Sequence, residues 1–103
     1  MKCEWRGGDT TVQIGLWEYE KAPTANASFT NLLMLCPGEE IEPIGISKRS
    51  AYCGRKVAPA CNLIANQGVF HIDVIWTAPA GTDEKSCRSR ASTLGGEVSR
   101  LLG

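Results

Sequence analysis

Histidine is nearly missing: one residue, His71, in a chain of 103. No short pair of metal ligands forms around it, because the five cysteines, Cys3, Cys36, Cys53, Cys61 and Cys87, contain no C-x-x-C. Zinc ribbons and thioredoxin-type redox centres are thereby excluded, and no metal and no cofactor is expected. Glu39, Glu40 and Glu42 lack the spacing and the glycine of a calcium loop. Gly7-Gly8 and Gly95-Gly96 stand outside any G-x-G-x-x-G or Gly-Lys-Ser/Thr context and read as turn glycines, so no phosphate loop is present. Nor is there an apolar run near the roughly 18 residues of a membrane span.

Net charge is also absent, with 11 basic against 11 acidic side chains. A field strong enough to hold nucleic acid or a membrane without other contacts is excluded. The balance hides an uneven distribution: basic groups gather at Lys48-Arg49, Arg55-Lys56 and Lys85 to Arg90. The stretch from Lys48 to Lys56 is too short and too poor in aromatics for a nucleic-acid surface, and Tyr52 alone makes no stacking platform. From Met1 to Thr11 the chain is polar and charged, without the apolar core of a signal peptide. Two readings stay open on that ground: a leader already removed, or a cytosolic protein.

What is present suits a folded protein. At 43% hydrophobic and 21% charged, the composition argues against disorder. The length fits one domain over residues 1–103 with a single core. Five widely spaced cysteines suggest cross-links and an oxidising compartment, extracellular or periplasmic. About fifteen pairing patterns are open to five cysteines with one left over. The expected set is two bridges among Cys36, Cys53, Cys61 and Cys87, with Cys3 spare. Asn26-Ala27-Ser28 matches an N-glycosylation acceptor in a stretch that reads as a loop.

The clearest element is the strand from Val69 to Trp76. Phe70, Ile72, Val74 and Trp76 share one face and are the expected core; His71 and Asp73 share the other. Thr11 to Glu20 alternates in the same way, with Val12, Ile14 and Leu16 opposite Trp17 and Tyr19. Met1 to Thr10 carries a short edge strand ahead of a Gly-Asp turn. The pattern predicts a loop over Lys21 to Ala27 and a central strand over Ser28 to Cys36, a short helix being the alternative. Glu39 to Ile46, broken by Pro43, reads as an edge strand. Val57 to Ala65 reads as a short or irregular strand, Thr82 to Lys85 as a hairpin loop, and Ser86 to Ser92 as a returning strand. Leu94, Val98, Leu101 and Leu102 have helical spacing, but Gly95-Gly96 predicts a short or frayed helix. The sum is a mostly β protein: a small antiparallel sandwich or barrel of about six short strands, stabilised by disulfides, with room for one short C-terminal helix. Trp76-Thr77-Ala78-Pro79-Ala80-Gly81 resembles the end of the sandwich in reelin-type N-terminal domains over those six residues only, and no family is assigned on it.

Two candidate sites follow. His71 and Asp73 lie on one side of a strand about 7 Å apart, the arrangement of a base and its orienting carboxylate; the plainer expectation is two polar residues facing water. No nucleophile is placed beside them, and the Glu, His and Arg set of a small ribonuclease, with Arg88 and Arg90 recruited, shows no supporting spacing. The second candidate is an interaction surface made by Trp5, Trp17, Tyr19, Arg88 and Arg90, residue types that dominate interfaces. The sequence thus favours a small secreted or periplasmic binding protein, an inhibitor, effector or recognition module, with another protein or a glycan as partner and no catalysis. The alternatives are a cytosolic phage- or plasmid-type inhibitor or immunity protein, and a small hydrolase or ribonuclease built on His71 and Asp73.

Overall fold

In the computed structural model, residues 2–7, 10–35, 39–41, 49–55 and 60–102 are described, with side chains over 11–35, 49–53 and 60–102. Six strands form one antiparallel sheet: β1 (Lys2–Gly7), β2 (Thr10–Glu18), β3 (Glu39–Ile41), β4 (Arg49–Arg55), β5 (Ala60–Gln67) and β6 (Phe70–Thr77). Two helices complete it, α1 (Ala22–Leu35) between β2 and β3, and α2 (Glu84–Leu102) after β6. The spatial order is β1-β2-β6-β5-β4-β3. After the first hairpin the chain passes through α1 to the far edge. It then returns strand by strand until β6 pairs with β2, Val74 opposite Ile14 and His71 opposite Trp17. The β5–β6 hairpin turns in two residues, and Gly68 takes its first position at φ +58°, a left-handed value that favours glycine.

The helices lie on opposite faces of the sheet. Cys87, Ala91, Leu94, Val98 and Leu102 of α2 pack on Leu63, Ala65, Ile72 and Val74, whereas Phe29 and Leu33 of α1 pack on Ala51, Cys53 and Ile64. Leu63 and Ile64 are neighbours on β5 and so point to opposite faces. The central strand β5 is buried along Cys61 to Asn66, as a strand covered on both sides must be.

This corrects the expected sandwich or barrel: the fold is mixed α and β, one open sheet between two helices. The predicted strand over Ser28 to Cys36 is helical through Leu35. Ala25 and Phe29, four apart, are its buried face, and Pro23 in the first turn has no amide hydrogen to lose. The predicted hairpin loop and strand from Thr82 to Ser92 are instead the start of α2. Asp83 caps that helix, its Oδ1 accepting from the Ser86 amide at 2.7 Å. Nor is the C-terminal helix short, since it runs for 19 residues through both glycines.

Gly95 explains why the pair is tolerated. It is buried where α2 meets the sheet, and a Cβ there would collide with Leu63, itself fully buried. Gly95→Val is therefore expected to cost about 1–3 kcal/mol by overpacking. A urea midpoint unchanged in that variant would contradict the close approach.

Two cysteines are cross-linked across the layers: Cys61 on β5 and Cys87 in the first turn of α2, with Cα atoms 5.5 Å apart. Cys53 is disulfide-bonded as well. Its partner is not Cys3, which β1 holds four strands away, about 19 Å at ordinary strand spacing. Cys36 lies outside the described residues, as do Pro43 and Lys48. Asn26 of the glycosylation triplet sits on α1 rather than in a loop, its Oδ1 accepting from Arg49 at 3.1 Å.

Candidate functional site

The face under α1 carries a cleft of about 340 Å³, lined by Trp17, Tyr19, Ser28, Leu32, Asn62, Ile64, His71 and Asp73. Three central strands supply its floor through their registered rows. Trp17 pairs with His71, and His71 with Asn66; in the next row Gly15 pairs with Asp73, and Asp73 with Ile64. Helix α1 supplies a wall through Ser28 and Leu32. Tyr19, just past the end of β2, is fixed twice: its amide donates to the Val69 carbonyl at 2.8 Å, and its hydroxyl shares a hydrogen bond with Ser28 Oγ, also 2.8 Å.

Trp17 is the main feature of the mouth. Its side is 43% exposed, high for a tryptophan beside a packed sheet. The indole is nevertheless held, because it lies back over Gly15, where a Cβ would strike the ring. It also meets the His71 imidazole at 5.5 Å between centroids, tilted by 46°. Gly15→Val is expected to displace the indole from this seat, seen as a changed chemical environment at His71. An unchanged His71 resonance would contradict the contact.

His71 does not face water, as the plainer expectation had it, since it is only 4% exposed. Its Nδ1 is buried with no hydrogen-bond partner. Burial lowers its pKa below 6.5, the Asp73 carboxylate opposing that shift more weakly. The cleft therefore holds a neutral imidazole near neutral pH. Asp73 is half-buried and receives Asn62 Nδ2 on Oδ1 at 2.6 Å, the same amide donating to the Val74 carbonyl at 3.0 Å. Asn62, and not the imidazole, is thus the group that orients this carboxylate.

The lowered pKa sets a pH dependence. Below 6.5 the unfolded chain takes up a proton at His71 that the folded chain accepts only at lower pH. Stability contributed here is complete above 6.5, falls as pH drops below it and levels off under the folded pKa. Between about pH 7.5 and about pH 5, the urea midpoint of the wild type is expected to fall more than that of His71→Gln. Equal slopes would contradict a buried neutral histidine.

Of the five residues expected to form an interaction surface, the structure brings only Trp17 and Tyr19 together. Arg88 and Arg90 are exposed on α2, across the sheet, and Arg90 borders a separate recess with Trp76, Lys85 and Ser86. Trp5 belongs to β1 and registers with Val12, five residues before Trp17 along β2; its side chain is outside the described ones. The sequence reading missed Ser28, Leu32, Asn62 and Ile64. Asn62 had a signal, an amide standing inside the apolar run Cys61 to Ala65. Among the described residues no group of three or more metal-ligating side chains occurs, and no helix is long and apolar enough to cross a membrane. No family model, curated protein or solved structure matches the chain.

Proposed function

We propose that the chain is a small binding protein of an oxidising compartment, extracellular or periplasmic, and that the cleft under α1 is the surface it offers to a protein or glycan partner. The observation that carries this reading is the seating of Trp17: a large aromatic face left open to solvent, yet fixed over Gly15 and against His71. An aromatic held in place before a partner arrives loses little conformational entropy on binding, which is how interface anchors gain affinity. The disulfide between two fully buried cysteines supports the compartment.

A non-catalytic role is favoured over hydrolysis by the hydrogen bonds of the floor. Asp73 Oδ1 is engaged by Asn62, and His71 Nδ1 has no partner, so the pair is not linked as an orienting carboxylate and its base. Ser28 Oγ, the hydroxyl of the wall, is bonded to Tyr19. The test is to probe arrays of immobilised peptides and glycans with labelled wild type and with Trp17→Ala. Ligands held by the wild type and lost by a variant with unaltered circular dichroism are the expected outcome. Ligands retained equally by both proteins would overturn the reading.

A further inference from the structure

The charge of the cleft narrows its ligand, on the premise that the cleft is the binding surface. Among the described residues, Asp73 is the only formally charged side chain in its lining. No cation pairs with Asp73 among the described residues; its one hydrogen bond comes from a neutral amide to Oδ1, leaving Oδ2 without a partner. His71 does not neutralise it, because protonation would place a cation in a buried site where Nδ1 has no acceptor. Arg49, a cation on the same face, is taken up by α1: it stacks over Phe29 at 4.6 Å and donates to Asn26 and Thr30. The same cleft is lined by the exposed Trp17, by Tyr19 and by the apolar side chains of Leu32 and Ile64, the last paired with Asp73 in the sheet.

We infer that this cleft receives a lysine side chain of a partner polypeptide, its ammonium at Asp73 and its aliphatic stem between Trp17, Leu32 and Ile64. A carboxylate without a counter-ion beside an open indole face attracts a cation twice, by charge and by the ring quadrupole. The apolar walls suit a methylene stem, as lysine buries its stem and keeps its charge on a polar group. An anionic guest would meet Asp73 unscreened, and basic patches for such a guest lie elsewhere, at Lys85 and Arg90.

The test is an NMR titration of the protein with three probes: the blocked peptide acetyl-Gly-Lys-Gly-amide, the same peptide with norleucine for lysine, and choline. Saturable shifts of the Trp17 indole and His71 ring resonances are expected with the lysine peptide, at least about tenfold tighter than with norleucine. Asp73→Asn is expected to abolish that preference. Leu32→Lys, at a rim position 36% exposed, is expected to weaken the lysine peptide by placing a competing ammonium at the cleft, without disturbing the floor. Equal binding of lysine and norleucine peptides, or binding of choline alone, would overturn the lysine assignment and leave the cleft as the surface. A glycan or neutral peptide from the arrays that shifts Trp17 while the lysine peptide does not would do the same. No shift at Trp17 from the probes or from any array ligand overturns both.

Discussion

Replacing Cys61 and Cys87 together by alanine is expected to lower the unfolding free energy by about 3 to 4 kcal/mol. The bridge spans a sequence separation of 26 residues, and closing a loop of that size removes about 3.5 kcal/mol of chain entropy from the unfolded state. Both cysteines are fully buried in the core under α2, so the paired replacement also leaves a small void. Against the roughly 5 to 15 kcal/mol that holds a domain of this size, the loss is large. Urea denaturation of the double variant measures it. A midpoint equal to that of the wild type would mean that the packing of α2 alone fixes the chain and that the bridge adds nothing.

The second large effect is expected at Phe29, the largest side chain fully buried under α1. Helix α1 sets only Ala25 and Phe29 fully into the protein, with Leu33 half-buried beside them, so a single ring supplies most of its attachment. Phe29→Ala is expected to cost about 3–5 kcal/mol. The Arg49 guanidinium loses its ring face at the same time. Because Ser28 and Leu32 of the same helix form the wall of the cleft, the variant is also expected to free the Tyr19 hydroxyl from Ser28 and to expose His71. Hydrogen exchange reads this directly: a larger acceleration across α1 than across α2 is the expected pattern. Uniform protection in both helices would contradict an attachment that depends on Phe29.

Much of the sheet was legible because period-two patterns write themselves plainly where one face is aliphatic. Ile72 and Val74 of the β6 pattern are fully buried; Phe70 and Trp76 nearer the strand ends are half-buried. The helices were harder for distinct reasons. Along α1, Leu32 to Leu35 are apolar on every side, and Leu32, Met34 and Leu35 remain exposed, so no helical stripe separates in from out. Along α2 the stripe of Cys87, Ala91, Leu94 and Val98 was present, but its first members are small and Gly95-Gly96 argues locally against a helix. The tight approach to Leu63, a tertiary fact, overrides that local preference.

The site divides in the same way. Trp17, Tyr19, His71 and Asp73 could be placed on the faces of their strands from alternation alone. That the two strands are neighbours, with His71 opposite Trp17, depends on β6 returning to β2 after a long excursion, which no local pattern encodes. Arg88 and Arg90 were grouped with the aromatics by residue type, and the sheet separates them.

The most direct measurement is the indole N–H resonance of Trp17 followed beside that of Trp76 while ligands from the peptide and glycan arrays are added. Trp76 packs on the α2 side of the sheet and serves as an internal reference. A binding surface under α1 predicts saturable movement of Trp17 with Trp76 nearly still. Movement confined to Trp76, or a Trp17 resonance unaffected by every ligand that binds, would contradict it.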